Sequence, residues 1–267
     1  TPGFSRRQVR LENAVSGIQC DICTGSDLAE VTRQRSRLID AQMRVQQQVL
    51  GRWEALERAL GSIEAIFNEP SSAGSSEAGT IFNQPSGLGL SGSFSRFWNA
   101  WQDLANVPES GAARAALRQE ADFLVTTMQQ YHEKLRVTRA EMDVEVVDEV
   151  AAINELLDQL ADINGEVPIS SFGGGDASDL KDRRDLIIDQ LSRKVGVTVN
   201  ANDNGQISLL MAGRNLLQGD NVIHLQIRQT VDSGTSVSRV HFADDGAVAP
   251  ISEGRLRGLI QIRDEVV

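Results

Sequence analysis

The sequence predicts an α+β fold, an elongated α-helical bundle or coiled-coil rod that carries a small antiparallel β module. Three observations predict it. Residues 112–164 place apolar side chains three or four apart with almost no helix breakers. Residues 28–68 repeat that spacing. After Gly196 the texture changes to short alternating stretches divided by Asn/Asp/Gly turns, the pattern of hairpins. The expected organisation is a helical rod over 1–196, a β module over 197–252, and the start of a returning rod helix over 253–267.

Each element has its own warrant. Residues 1–27 hold the turn formers Pro2, Gly3, Gly17 and Gly25 and alternating stretches such as Gln8-Val9-Arg10-Leu11, which read as extended chain or short strands. In the helix expected over 28–68, Leu38, Met43, Val45, Val49, Trp53, Leu56, Leu60, Ile63 and Phe67 supply the spacing, and Pro70 ends it. Residues 70–93 are rich in Ser and Gly. Ile66-Phe67-Asn68-Glu69-Pro70-Ser71 returns as Ile81-Phe82-Asn83-Gln84-Pro85-Ser86, a local duplication too short for a solenoid and suited to a lengthened surface loop. A helix over 94–107 is ended by Pro108. The long helix over 112–164 carries Met128, Tyr131, Leu135, Thr138, Met142, Val146, Val150, Ile153, Leu157 and Leu160 as a narrow seam of coiled-coil type. A helix of about fifty residues spans about 75 Å, which is why a rod is expected. Gly165, Pro168 and Gly173-Gly174-Gly175 mark a loop, and Asp179 is a suitable N-cap for a helix over 179–194.

The β module follows. Val197-Thr198-Val199, Gln206 to Leu210, Val222 to Ile227 and Val237 to Phe242 read as strands, with hairpin-type turns at Asp203-Asn204-Gly205 and Asp244-Asp245-Gly246. Glu253 to Val267 opens a new helix on Leu256, Leu259, Ile260, Ile262 and Val266. The chain starts at Thr1, not Met, and stops at Val267 within that helix, so a fragment trimmed at both ends is expected.

Composition excludes several function classes. The chain has 267 residues, enough for one large domain or two smaller ones. Aromatic residues are only 4%, so aliphatic packing must carry the core. The formal net charge is −11, which disfavours a sequence-independent grip on nucleic-acid backbones. No apolar run reaches the roughly 20 residues of a membrane span, so no membrane partner is expected.

The motifs that could carry chemistry are weak. Cys20-Asp21-Ile22-Cys23 offers a redox pair or half a zinc site, but no second CxxC exists and His132, His224 and His241 stand at no finger-like spacing. Gly87-Leu88-Gly89-Leu90-Ser91-Gly92 matches GxGxxG without the preceding strand that a dinucleotide site requires, so it reads as a flexible loop. Asn200-x-Asn202-x-Asn204-Gly205 imitates the start of a calcium loop. Met211 stands where the bidentate Glu belongs, and a β-turn is expected instead. Glu141, Asp143, Glu145, Asp148 and Glu149 read as an exposed acidic face with no histidine beside it. No catalytic, metal or cofactor residue is assigned. The stretch Phe97 to Ser110 puts Trp98 and Trp101, two of 3 tryptophans, at a helix junction in a chain without a reactive cluster, which points to a building block rather than an enzyme.

Thr1-Pro2-Gly3-Phe4-Ser5-Arg6 resembles the signature of bacterial flagellar axial proteins, with Phe4 in place of the usual Tyr. Later blocks narrow the resemblance to the hook-associated family that forms the hook–filament junction. These blocks are Phe97 to Ser110, Leu180-Lys181-Asp182-Arg183-Arg184-Asp185, Leu191 to Val199 and Glu253 to Asp264, in that order along the chain. Cys20, Cys23 and the loop at 70–93 depart from the family pattern. The resemblance implies an extracellular structural part of the flagellum, secreted through the flagellar type III export channel. It implies partners: further copies in a helical or ring-like array, hook protein, the neighbouring junction protein, and an export chaperone held by a C-terminal region that this chain lacks. Under it, the candidate subunit contacts are Arg6, Arg7, Trp98, Trp101, Asp182 and Arg183. Rivals are another axial protein such as flagellin, a coiled-coil secreted effector or adhesin, and a fused cell-wall hydrolase, which would need paired carboxylates in a cleft.

Overall fold

A computed structural model describes residues 6–13, 26–34, 36–67, 89–172, 177–202, 204–232 and 235–266. The fold is α+β. It opens with a hairpin of β1 (Arg6–Asn13) and β2 (Ser26–Gln34), antiparallel from Arg6↔Gln34 to Asn13↔Ser26, with a bulge between Arg10 and Leu11. This corrects the helix expected from Leu28. Residues 28–34 include β-branched Val31 and Thr32 and have a paired strand to join, and the three-four apolar spacing starts only at Leu38.

Helix α1 (Arg37–Phe67) is followed by α2 (Leu90–Asn106) and by α3 (Gly111–Phe172), which is 62 residues long. α2 begins earlier than expected, at Leu90, with Ser93 buried and its hydroxyl donating back to the Gly89 and Leu90 carbonyls (3.2 and 2.8 Å). α3 runs past Asn164 and takes Gly165 and Pro168 within it. Val167 is fully buried beyond the expected stop, so packing holds helix where local propensity opposes it. Helix α4 (Ser178–Lys194) starts at Ser178, with Asp179 inside its first turn rather than at the cap. There its charge favours the positive end of the helix dipole.

The β strands form antiparallel sheets. β3 (Thr198–Ala201), β4 (Ile207–Met211), β5 (Arg214–Gln218) and β6 (Asn221–Val222) lie in that order in one sheet, and β7 (Leu225–Asp232) pairs β8 (Thr235–Phe242) in another. The expected calcium-like segment is the β3–β4 turn: Gly205 takes a φ of 83°, and Asn204 Oδ1 accepts from the Gln206 amide. Helix α5 (Arg255–Gln261) follows, and Ile262–Val266 winds on as a wider π-type turn.

The chain divides into two compact units, one of Thr1–Ala55 with Glu145–Ile260, the other of Leu56–Val144 with Gln261–Val267. The first holds most of the aliphatic core. Val146, Val150, Ile153, Leu157 and Leu160 of α3 are buried, as the expected seam requires. So are Ile187, Ile188 and Leu191 of α4, Leu209, Leu216 and Leu217 of the four-stranded sheet, and Leu256 and Leu259 of α5. Two asparagines of α3 fasten the strands. Asn154 exchanges hydrogen bonds with the Leu225 backbone (2.8 and 2.9 Å). Asn164, fully buried, accepts from the Ile207 amide (2.8 Å) and donates to the Ile207 and Gly219 carbonyls (3.0 and 2.6 Å). In the second unit, Phe67 stacks on Tyr131 at 5.3 Å, and buried Arg263 pairs with Asp143 at 2.7 Å.

Candidate assembly surface

Most of the polar chemistry of the first unit is spent inside it. Arg44 of α1 reaches Asp185 (3.3 Å) and Asp189 (3.0 Å) of α4, all three largely buried. Gln48 donates to the Val197 carbonyl (2.7 Å) and accepts, through its own backbone oxygen, from the Gly254 amide (3.2 Å). Arg52 pairs with Glu253 (3.2 Å) and Arg193 with Glu54. Glu149, almost fully buried, takes Lys194 at 3.1 Å and Arg255 at 3.8 Å, and Glu145 takes Arg255 at 3.1 Å. The acidic stretch is therefore only partly the exposed face that was expected. Glu141 and Asp148 face solvent, while Glu145 and Glu149 neutralise cations from α4 and α5.

Glycine permits these crossings. A Cβ on Gly51 would strike the Arg193 carbonyl, and one on Gly258 would lie 2.7 Å from the Arg52 carbonyl oxygen and 2.8 Å from the Ala55 Cβ. Backbone thus rests on backbone where α1 meets α4 and α5.

The candidate contacts are distributed as follows. Arg6 and Arg7 stand at the open end of the β1–β2 hairpin, in register with Gln34 and Arg33. Asp182 is half-buried and already engaged, and Arg183 is exposed beside it. Their neighbours Arg184 and Asp185 are buried, Arg184 donating to the Gly205 carbonyl at 2.8 Å. Trp98 and Trp101 share a face of α2 and are 56% and 51% exposed. Phe97 lies beside both rings, at 5.4 and 6.3 Å between centroids. The pair of tryptophans belongs to the second unit and the other four residues to the first. Cys20 and Cys23, and the repeat beyond Phe67, lie outside the described residues.

Periodicity did not reveal a further apolar row. Ile39, Met43, Leu50 and Trp53 of α1 are exposed, Trp53 by 62%. Of these only Met43 and Trp53 belong to the spacing that predicts the helix; Leu56 of that spacing is buried, together with Gly51, Ala55 and Ala59. Among the described residues no helix is long and apolar enough to cross a membrane, and no three His, Cys, Asp or Glu side chains gather to hold a metal.

The family model described as the flagellar hook-associated protein FlgK helical domain matches residues 75–267. Flagellar hook-associated protein 1 of Bacillus subtilis is 26% identical over 98% of this chain and 54% of its own length. The protein of the same name from Salmonella typhimurium is 32% identical over 66% of this chain and 33% of its own length. The chain therefore spans about half, or less, of the relatives it matches. The flagellar hook junction protein FlgK from Burkholderia pseudomallei has the same fold, with a TM-score of 0.62 and 21% identity over 84% of this chain and 39% of that one.

Proposed function

The chain belongs to the family of the flagellar hook-associated protein FlgK, and on that footing we propose that it is a structural part of a bacterial flagellum. In this reading it forms the layer between hook and filament by self-association, passes torque across it, and has no catalytic role. It is exported and works outside the cell. Its neighbours are further copies of itself, hook protein and the adjoining junction protein, and the export chaperone binds a C-terminal region. Residues 1–196 and 253–267 act as the helical scaffold and 197–252 as a β module borne on it.

The observation that carries the reading is the division of labour among the blocks that resemble the family. Leu180–Asp185, Leu191–Val199 and the start of Glu253–Asp264 supply internal ion pairs and core side chains. Phe97–Ser110 instead turns its tryptophans outward. A densely tied interior transmits force without deforming, and an outward aromatic face supplies adhesion. Arg6, Arg7, Asp182 and Arg183 complete the proposed contact set, with contacts that repeat heterologously so that the array stays open.

The test is decoration of isolated hooks by the full-length chain, followed by negative-stain microscopy, with a swimming assay in a strain lacking it. Hook ends gain a layer if the reading is right. A full-length chain that leaves hooks bare, and whose loss leaves swimming intact, overturns it.

A further inference from the structure

The segment Asn200-x-Asn202-x-Asn204-Gly205, which imitates only the start of a calcium loop, holds a different chemistry. In an Asn-Gly pair the side-chain amide is open to attack by the next backbone nitrogen, because glycine has no side chain to block the approach. The chain has two such pairs, Asn164-Gly165 and Asn204-Gly205. The fold treats them oppositely.

Asn164 is fully buried in α3, and its side chain is held by the Ile207 amide (2.8 Å) and by the Ile207 and Gly219 carbonyls (3.0 and 2.6 Å). Gly165 lies within α3, whose ladder points its N–H back along the helix axis. Reaction there first requires the helix to open and the sheet anchor to let go, a rare event in a core. Asn204 and Gly205 are both exposed, in the turn between β3 and β4. Gly205 takes a φ of 83°, and its N–H makes a 3.2 Å bond to the Asn202 carbonyl in a turn open to water. Asn204 Oδ1 accepts from the Gln206 amide at 3.1 Å. That donor stands where negative charge develops on Oδ1 when a nucleophile adds to the amide carbon, so the turn carries a rudimentary oxyanion site. Nδ2, the nitrogen that must leave, donates to the Gln206 side chain at 2.7 Å and not to backbone of the core.

We propose that Asn204 is a spontaneous modification site, converted through a succinimide to aspartate and isoaspartate, and that the fold shields Asn164 from the same reaction. The Gly205 nitrogen gives up its proton and bonds to Asn204 Cγ. The Cγ–Nδ2 bond breaks and ammonia leaves, carrying that proton. Water then opens the ring. Addition at Cγ leaves aspartate, and addition at the backbone carbonyl carbon of residue 204 leaves isoaspartate, with an extra methylene in the main chain. Either product adds a negative charge to the turn. Isoaspartate also lengthens a turn that closes with the Asn202 amide on the Gln206 carbonyl (2.9 Å). The Gly205 carbonyl of that turn accepts from buried Arg184 of α4 (2.8 Å), so the modification loosens the tie between α4 and the four-stranded sheet. It does so whatever the chain assembles with.

The experiment ages the folded chain in mildly alkaline buffer, where the attacking nitrogen is deprotonated more often. Peptides are then mapped by mass spectrometry, and isoaspartate is counted by enzymatic methylation of its carboxylate. The peptide bearing Asn204 should exchange amide for acid at least about tenfold faster than the peptide bearing Asn164. In urea the two should react at similar rates, because the protection of Asn164 is structural. Asn204→Ser should abolish the early isoaspartate, and the aged parent should unfold at a lower urea concentration than the aged Ser variant. An Asn204 that stays intact in the folded chain while it reacts in urea overturns the proposal. So does an Asn164 that keeps pace with it in the folded chain, and so does early isoaspartate that persists in the Ser variant. An aged parent that unfolds at its unaged midpoint overturns the loosening.

Discussion

Alanine at two glycines of α1 should have opposite effects, and the structure sets both signs. At Gly61 a Cβ meets nothing within 4 Å. Glycine costs about 1 kcal/mol relative to alanine inside a helix, so Gly61→Ala should stabilise by about that amount. Gly51→Ala gains the same propensity but pushes its methyl into the Arg193 carbonyl, whose carbon would lie at 3.0 Å. That carbonyl is backbone of α4, and neighbouring backbone is fixed by the Val195 amide donating to Leu191 O at 2.9 Å. It cannot swing aside as a side chain would. α1 and α4 must separate by about 1 Å, which also stretches Arg193–Glu54 and the Gln48 bond to Val197. Overpacking of this kind costs about 1–3 kcal/mol, and the strained hydrogen bonds add to it. The net expectation is a loss of about 1–2 kcal/mol. Urea unfolding followed by circular dichroism measures both, and in a thermal scan each kcal/mol moves the midpoint by about 2–4 °C. The two glycines lie in different units, so if the units unfold separately each substitution moves its own transition. A Gly51→Ala chain as stable as its parent would refute the reasoning.

Three other substitutions probe the β module and its anchor. Asn164→Asp keeps shape but removes the donor that serves the Ile207 and Gly219 carbonyls, setting a buried carboxylate against two oxygens. It should cost about 3 kcal/mol at neutral pH and recover in part on acidification, when the protonated acid can donate again; denaturant midpoints at both pH values give the answer, and a loss below about 1 kcal/mol would count against the anchor. Ala212, at a φ of 49° before Gly213 at 85°, sits in the two-residue β4–β5 turn, where asparagine tolerates positive φ far better. Ala212→Asn should therefore raise the urea midpoint, by about 0.5–1 kcal/mol of stability. The Arg214 guanidinium, with the Ala247 amide behind it, holds the Asp245 carboxyl below the usual carboxylate range. A depressed folded pKa stabilises above the ordinary aspartate value and the contribution is lost as pH falls through the lowered one. Asp245→Asn should flatten that acid limb, and a carboxyl NMR titration at the ordinary midpoint would show the pairing to be absent in solution.

Fold class was legible because it depends on periodicity, and periodicity is local. The seam is buried from Met142 to Leu160 as read, whereas its first residue, Met128, is exposed. Where reading went astray, tertiary pairing outweighed local preference. Residues 28–34 form a strand because β1 lies alongside, and α3 passes Gly165 and Pro168 because Val167 has a core to enter. Strand β5 was missed because Arg214-Asn215-Leu216-Leu217-Gln218 is short and does not alternate, and only the flanking Gly213 and Gly219 announced it. The sequence ends α3 at Asn164 because Gly165 and Pro168 follow it. Its value there is that an amide side chain supplies a donor and an acceptor to backbone that cannot find them in a sheet.

The direction in which a face points is a different kind of information. Spacing tells which residues share a side of a helix, not whether that side meets core or solvent. On α1 the apolar side chains of Ile39, Met43, Leu50 and Trp53 are outside, while Gly51, Ala55, Leu56 and Ala59 are inside. Gly51 and Ala55 are small because there α1 comes within contact of the backbone of α4 and α5, and bulky residues would hold them apart. The blocks that resemble the family mix buried and outward side chains in the same way. In Leu180–Asp185, Arg184 and Asp185 are buried and tied to Gly205 and Arg44, while Lys181 and Asp182 are half-buried and Arg183 is exposed. Charge in a block of this kind ties the subunit's own elements together, while the nearly uncharged aromatic face of α2 is exposed.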